Sequence, residues 1–402
     1  MKKEQIRVYG MTLLGALSLI LILSAAGLLV HSRKTDETIR VGFVYVGDSS
    51  TGYTNNFYEA QKAVEKAYGG SVVTIAKYNV PEDKAEVALQ ALIVEECKLI
   101  FTTSYGYGET TKIFAKAYPE IQFCQATCAN ANEEPYLDNY HTFMGRIYEG
   151  RYVSGVAAGM KLRELIDEGK ITGEQAKVGY VAAFPYAEVI SGYTSFLLGV
   201  RSVAPEAVMT VKYTNTWGDY HLEKECAKKL IDEGCVIISQ HSDTIGPASA
   251  CEETNRSQNV FFVSYNESMS DIAPTTYLTG CKINWEPYIL EAVEAVLYDK
   301  EIEKQVEGTI YENDVGAGFE KSWVEMLEIN EFVAAEGTKE KVESLIRDFK
   351  NNKIRVFLGD YTGVDPQNPE DTINLRQEYI ENKESSAPTF HYILDDVIHV
   401  EK

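Results

Sequence analysis

The chain has 402 residues and a formal net charge of −22 at pH 7. This length allows two lobes with separate hydrophobic cores. The acidic balance argues against a nucleic-acid partner, because a phosphate backbone requires a basic protein surface. The seven cysteines lack the paired CxxC spacing of a zinc site, and the six histidines show no HxxxH or HExxH spacing. We therefore expect neither a metal site nor a cofactor.

An uncharged run from Met11 to Val30 follows a short basic segment at the N-terminus. As a helix, about 20 such residues span a hydrocarbon core of roughly 30 Å. Residues 1–37 are thus predicted to hold a hydrophobic helix that serves as a membrane anchor or as a signal segment. Ser24-Ala25-Ala26 would suit signal cleavage, whereas the apolar run continuing to Val30 favours a retained anchor in the cell membrane. In either case the main domain is expected to be extracytoplasmic.

Short apolar runs alternate with amphipathic segments from Ile39 onward. Continuously apolar strands are typical of a parallel sheet covered on both faces. After the first strand at Ile39, further strands are predicted at Val72–Tyr78, Leu99–Thr103, Ile121–Thr127, Tyr140–Met144, Val178–Ala183, Met209–Tyr213, Val236–Ser239, Val260–Ser264, Tyr277–Lys282 and Ile354–Leu358. Beyond the helix that contains Tyr53, helices are predicted at about Glu82–Glu95, Glu109–Ala117, Glu149–Ile166, Val189–Val203, Leu222–Glu233, Pro287–Tyr298 and Lys339–Asn351.

Two such series of alternating strands and helices predict an α/β protein with two similar lobes. The first lobe is expected to span residues 38–146, with about 268–307 returning to it, and the second to span 147–267. Residues 308–402 would supply a third crossing and the C-terminal elements. The crossing segments are predicted near residues 144–147, 265–272 and 308–311.

Aromatic and small polar residues follow many of the predicted strands. Open α/β sheets bind ligands at the carboxyl ends of their strands, so these residues are candidates for one cleft. They are Tyr53, Ser104, Tyr105, Tyr107, Phe184, Trp217, His241, Asp243, Asn266 and Ser268. A flat heterocycle could stack between the rings while an Asp or Asn side chain binds its edge. The alternative is that the aromatic side chains fill the ends of the sheets as core.

His241, Ser242 and Asp243 contain the side chains of a hydrolytic triad within one loop. A triad requires groups that converge from separate places, whereas neighbours in a loop point in different directions. The sequence also lacks a GxSxG elbow and the GxGxxG and GK[ST] patterns of phosphate-binding loops. We predict no catalytic residues, no enzyme activity and no nucleotide phosphate at the strand-end loops.

Five sequence blocks carry a resemblance to a known family. They are Phe101–Tyr107, Tyr148–Gly159, Val178–Pro185, Gln240–Asp243, and Ala273-Pro274 followed by Leu278-Thr279. With these blocks, from about residue 40 to 358, the chain resembles the basic membrane protein family of substrate-binding proteins. That family includes purine-nucleoside receptors of ABC importers, and the chain is most similar to the branch that binds free purine bases such as adenine. The resemblance implies a type I periplasmic-binding-protein fold, with two Rossmann-like lobes, three crossing segments and a ligand at their interface.

The same resemblance implies roles for the strand-end residues. The base would stack between Tyr53, Tyr105 or Tyr107, Phe184 and Trp217, with polar contacts from Ser104, His241, Asp243, Asn266 and Ser268. Three positions depart from relatives: Asn266 replaces the aspartate of nucleoside-binding members, and Ser268 and Tyr53 replace the aspartate and tryptophan of base-binding members. The lipoprotein cysteine is also absent. These departures leave a purine base and a purine nucleoside both open as the ligand.

The implied function is an extracytoplasmic solute receptor. Two lobes would close on the purine and deliver it to an ABC permease and its ATPase, with the N-terminal segment holding the protein at the membrane. The alternative is a membrane-anchored ligand sensor of the same fold that signals to a partner protein.

Overall fold

A computed structural model describes residues 38–254 and 259–401. The hydrophobic segment predicted within residues 1–37 lies outside this range. Among the described residues, no helix is both long enough and apolar enough to span a bilayer. The described chain forms two seven-stranded sheets and one small three-stranded sheet. Helices accompany the two large sheets, so the predicted two-lobed α/β fold is confirmed.

The strands and helices are numbered in chain order. The strands are β1 (Ile39–Val44), β2 (Val72–Lys77), β3 (Leu99–Thr102), β4 (Gln122–Ala126), β5 (Tyr140–Gly145), β6 (Lys177–Ala182), β7 (Val208–Tyr213), β8 (Ile237–His241), β9 (Phe261–Tyr265), β10 (Tyr277–Ile283), β11 (Thr309–Tyr311), β12 (Asp314–Ala317), β13 (Val324–Met326), β14 (Thr362–Asp365), β15 (Asn368–Asn374), β16 (Ile393–Leu394) and β17 (Ile398–Glu401). The α-helices are α1 (Gly52–Tyr68), α2 (Ala85–Val94), α3 (Gly108–Ala117), α4 (Ile147–Asp167), α5 (Ala187–Arg201), α6 (Tyr220–Asp232), α7 (Gly246–Thr254), α8 (Glu286–Leu297), α9 (Ile302–Gln305) and α10 (Thr338–Lys350).

Each lobe is built on a mostly parallel sheet. The strand order is β11-β12-β5-β4-β3-β1-β2 in the first lobe and β13-β10-β9-β8-β6-β7-β17 in the second. In these two sheets, only the end strands β11 and β13 run antiparallel to their neighbours. Strands β3, β5, β8 and β9 are buried along their whole length. Two-sided burial of this kind explains the apolar runs Leu99–Phe101 in β3 and Phe261–Val263 in β9.

Aromatic side chains hold the returning helix α8 against helix α1 and the first sheet. The ring centroids of Phe57 and Trp285 lie 4.4 Å apart, and those of Phe143 and Tyr288 lie 3.9 Å apart. Burying one such ring stabilises the fold by roughly 1.5–3 kcal/mol. All seven cysteines are buried and form no disulfide.

The chain passes between the lobes three times. The first crossing lies at Arg146, between β5 and α4. The return to the first lobe comes after Ile283 rather than at about residue 268, because β10 pairs with β9 as a further strand of the second sheet. Residues 309–311 pair with β12 in the first sheet, so the third crossing lies at 318–323 instead of 308–311.

The strand predicted at Ile354–Leu358 does not form. Val356 and Phe357 are buried nonetheless, and the Phe357 ring lies 4.1 Å from that of Phe390. The apolar run therefore packs its side chains into the second lobe without joining a sheet.

The C-terminal segment after α10 contacts both lobes. Strand β17 pairs with β7 at the edge of the second sheet. The Ser386 backbone N–H and hydroxyl donate to the buried Asp314 carboxylate of the first lobe at 2.6 and 2.5 Å. The buried Glu381 carboxylate accepts a hydrogen bond from Ser191 of α5 at 3.2 Å. Residues 381–386 thus form a strap between the lobes.

Replacing Ser386 with alanine tests the strap. Ser386→Ala removes one buried hydrogen bond to Asp314, and the free energy of unfolding should fall by about 1–2 kcal/mol. Urea unfolding at pH 7.5 measures the change. The matched control is Ser385→Ala at the neighbouring, half-buried position, which should stay within about 0.5 kcal/mol of wild type. Equal stabilities for the two variants would contradict the strap's contribution.

Candidate ligand-binding site

A narrow cavity lies between the carboxyl ends of the two sheets. The first lobe contributes Val46, Tyr53, Ser104, Tyr105 and Thr127, and the second contributes Glu188, Trp217, His241, Asp243, Tyr265 and Asn266. Most of these residues end a strand or follow one closely. Parallel strands bring such positions to one edge of a sheet, so two facing sheets enclose the cavity.

The two lobes touch each other around this cavity. The Asn56 side-chain amide donates to the Asn266 carbonyl at 3.0 Å, and the rings of Tyr105 and Tyr186 lie 5.5 Å apart. Glu267 accepts a hydrogen bond from the Gly52 backbone N–H at the start of α1. A Cβ atom at position 52 would lie 2.9 Å from the Glu267 Cβ, so this approach requires glycine. The structure is therefore in a closed arrangement.

Aromatic rings form much of the cavity wall. The Tyr53 hydroxyl donates to the Thr103 carbonyl, which fixes the orientation of the ring. Trp217 is supported from behind by Phe184, whose ring centroid lies 5.2 Å away. Rings held in this way can stack on a planar ligand without first losing side-chain freedom.

The polar part of the wall is acidic. Burial, together with the nearby carboxylates of Glu223, Glu188 and Glu267, raises the pKa of Asp243 to about 8. Its backbone N–H donates to the Trp217 carbonyl at 2.8 Å, which ties its loop to that of the tryptophan. At neutral pH the Asp243 side chain is mainly a protonated acid, able to donate as well as to accept a hydrogen bond.

His241 is a neutral ring in this environment. Burial and, to a smaller extent, the Arg151 cation lower the pKa of His241 to about 4, although Glu188 opposes both. The His241 Nε2 lies 3.5 Å from a Glu188 carboxylate oxygen. A neutral imidazole offers one donor and one acceptor nitrogen.

Asn266 offers an unused donor at the cavity. Its backbone has a φ of 68°, in the left-handed region, as has Thr127 on the opposite wall with a φ of 66°. Strained backbone of this kind often occurs in ligand clamps. The buried Asn266 Nδ2 has no hydrogen-bond partner among residues 38–254 and 259–401. A ligand acceptor at this point would relieve that desolvation cost.

Seven of the ten predicted site residues come together in the cavity lining. They are Tyr53, Ser104, Tyr105, Trp217, His241, Asp243 and Asn266. Tyr107 is instead buried in the first lobe, where its hydroxyl donates to the Val80 carbonyl at 2.5 Å. Phe184 stands behind Trp217, and the Ser268 hydroxyl lies 3.0 Å from Ser270 away from the lining.

The sequence reasoning missed Val46, Thr127, Glu188 and Tyr265. Thr127 and Tyr265 stand at strand ends, so the rule that selected the other residues would have found them. Glu188 lies in the first turn of α5, where a carboxylate is stabilised by the helix dipole. The sequence signal that could have identified Glu188 is an acidic residue in the first turn of a helix that follows a strand-end loop.

The sequence model of one protein family, described as ABC transporter substrate-binding protein PnrA-like, matches residues 39–343. A purine-binding protein of Brucella abortus is 30% identical over 343 residues, covering 85% of this chain and 89% of its own. A putative ABC transporter glucose-binding protein of Haloferax volcanii is 27% identical over 354 residues, covering 88% of this chain and 82% of its own.

Among solved structures, an ABC transporter solute-binding protein of Aeropyrum pernix aligns with a TM-score of 0.63 and 17% identity, covering 79% of this chain and 92% of that one. This likeness concerns the fold alone. The family match spans most of the chain and confirms the resemblance seen in the sequence blocks. The chain belongs to the PnrA-like family of ABC transporter substrate-binding proteins.

Proposed function

We propose that this protein binds a purine base or purine nucleoside between its closed lobes and delivers it to an ABC permease and ATPase. The observation that carries the proposal is a small cavity between the lobes, walled by Tyr53, Tyr105, Trp217 and Tyr265 and edged by hydrogen-bonding groups. Extracytoplasmic location follows from this role, and we expect the N-terminal segment to hold the protein at the cell membrane. No catalysis is expected.

The polar groups suit the edge of a purine. Asp243 and His241 are neutral and can each donate and accept, Asn266 has a free amide donor, and Glu188 can accept. A purine ring presents both donors and acceptors around its perimeter. Among the described residues that line the cavity, two carry carboxyl groups and none is a lysine or an arginine. A nucleotide's phosphate would therefore be unfavourable there, which favours a base or nucleoside.

A sugar is the second candidate ligand. The Haloferax volcanii relative carries a glucose-binding name, and sugars also pack against aromatic rings. The broad aromatic lining favours the purine, because a flat heterocycle uses the faces of several rings at once.

A thermal-shift screen distinguishes the two candidates. Adenine, guanine, hypoxanthine, adenosine, inosine and D-glucose would each be added to the purified protein at the same concentration. A ligand present at about 1,000 times its dissociation constant stabilises the folded state by roughly 4 kcal/mol. We expect at least one purine to raise the melting temperature and glucose to leave it unchanged. Stabilisation by glucose alone would contradict the proposal.

A further inference from the structure

A fully buried cation lies beneath the cavity. Arg151, in the second turn of α4, is 0% exposed. None of its three guanidinium nitrogens has a hydrogen-bond partner in the part of the chain that the structure describes. Burying an unpaired charge costs several kcal/mol in a typical protein interior. A residue retained at such a cost calls for a role besides packing.

A continuous series of contacts connects Arg151 to the cavity wall. The guanidinium carbon lies 3.6 Å from the centre of the Tyr265 ring, a cation–π contact. The Tyr265 ring centroid is 4.6 Å from that of His241, and His241 Nε2 is 3.5 Å from the Glu188 carboxylate. Tyr265, His241 and Glu188 all line the cavity, whereas Arg151 does not. The cation therefore acts on the cavity from behind its wall.

The donor and the lone pair of His241 can be oriented favourably toward both of its charged neighbours, Glu188 and Arg151. With its proton on Nε2, His241 donates toward Glu188 and leaves the Nδ1 lone pair on the other side of the ring. A Cβ atom at Gly192 would lie 2.9 Å from His241 Nδ1 and 3.9 Å from Arg151 Nε, so both atoms border the same glycine. Buried His241 Nδ1 likewise has no hydrogen-bond partner among the described residues. A lone pair toward the cation and an N–H toward the carboxylate is the favourable orientation.

We propose that Arg151 is a positioning residue that sets ligand specificity, because its charge behind Tyr265 and His241 favours the His241 tautomer whose Nε2–H faces Glu188 and so orients the Glu188 side chain as a hydrogen-bond acceptor at the cavity wall. The inference rests on the proposed function and makes it more specific. A carboxylate acceptor recognises an N–H donor on the ligand. Purines that bear an exocyclic amino group should therefore bind better than unsubstituted purine, and this preference should depend on Arg151.

Calorimetric titration with adenine and with unsubstituted purine tests the preference. R151M should weaken adenine binding about tenfold relative to wild type and reduce the preference for adenine over unsubstituted purine. R151K retains the positive charge and should keep most of the wild-type affinity for adenine. The matched control is R163M on the same helix, where Arg163 pairs with Glu206 at 2.6 Å; its affinity should equal that of wild type. Equal losses in R151M and R151K would overturn the role of charge.

A double-mutant cycle separates this role from a structural one. In the E188Q background, adding R151M should cause no further loss of adenine affinity, because the carboxylate on which Arg151 acts is gone. A loss that adds to that of E188Q would overturn the inference. If R151M does not fold, R151Q replaces it in both comparisons.

A ligand-free measurement keeps the inference testable even if no purine binds. The charged or titratable groups around His241 are Arg151 on α4, Glu188 on α5, Tyr265 at the end of β9 and Asp243 in the loop after β8. Nuclear magnetic resonance, with the His241 signal assigned by its loss in H241Q, should show His241 uncharged from pH 5 to 7.5 in wild type. R151M should move the pKa of His241 up toward its ordinary 6.5, and R151K should not. An unchanged His241 titration in R151M would overturn the inference, whereas absence of purine binding by wild type would refute only the proposed function.

Discussion

Replacing Trp217 with alanine is expected to weaken purine binding by about 1–3 kcal/mol, or roughly fivefold to more than a hundredfold. Trp217 lines the cavity, and Phe184 supports it from behind at 5.2 Å. The substitution removes a stacking surface and opens the wall to water. Calorimetric titration of adenine or adenosine into wild type and Trp217→Ala measures the loss.

Two further variants decide whether the loss comes from stacking. Trp217→Phe retains an aromatic face and should lose less affinity than Trp217→Ala. Tyr136→Ala removes a ring that is 62% exposed on the first lobe and outside the cavity lining, so its affinity should match wild type. If Trp217→Ala binds the ligand as tightly as wild type does, Trp217 does not belong to the site.

Replacing Asp243 with asparagine should change how stability depends on pH. In the ligand-free protein burial raises the pKa of Asp243 from 3.8 to about 8. Its folded state therefore holds a proton that the unfolded chain loses near pH 4. This contribution to stability is fully present below pH 4 and is lost progressively as the pH rises to about 8, with a total on the order of a few kcal/mol.

Thermal unfolding between pH 5 and 8.5 measures this effect. Wild type should lose stability as the pH rises, and Asp243→Asn should lose less because its side chain does not ionise. The stability of the variant should still depend on pH to some extent, since burial also raises the pKa of Asp314 to about 6 and that of Glu381 to about 7. Identical pH profiles for the two proteins would contradict the protonated state assigned to Asp243.

The sequence predicted the repeating part of the fold well. Strands such as β3 and β9 are buried on both faces, and their unbroken apolar runs signal that environment directly. The sequences of the strap and of the short strands near the C-terminus contain no such apolar run. Strand β15, with the sequence NPEDTIN, is mostly exposed and polar, so its pairing with β14 is a tertiary effect that periodicity does not register.

The sequence predicted the residues of the candidate site only in part. Residues selected because they follow a strand mostly reached the cavity, but position in a loop does not fix the direction of a side chain. Tyr107 and Tyr105 differ by two positions, yet Tyr105 lines the cavity and Tyr107 is buried in its own lobe. Arg151 lies in a helix, and only the packing of α4 against the second sheet places its charge behind Tyr265.

The C-terminal strap lies beyond the part of the chain that matches the family model, which ends at residue 343. Ser385 of the strap and residues 387–389 just after it line a second opening beside the cavity, together with Tyr105, Thr127 and Glu188. The strap therefore borders the interlobe cleft on this side in the closed arrangement.

Calorimetric titration of wild-type protein with adenine, adenosine and D-glucose tests the central claim most directly. We predict one-to-one binding of adenine or adenosine, with a dissociation constant in the micromolar range or tighter, and no binding of glucose. The absence of binding heat with purine bases and nucleosides, together with saturable binding of glucose, would contradict a purine site between the lobes.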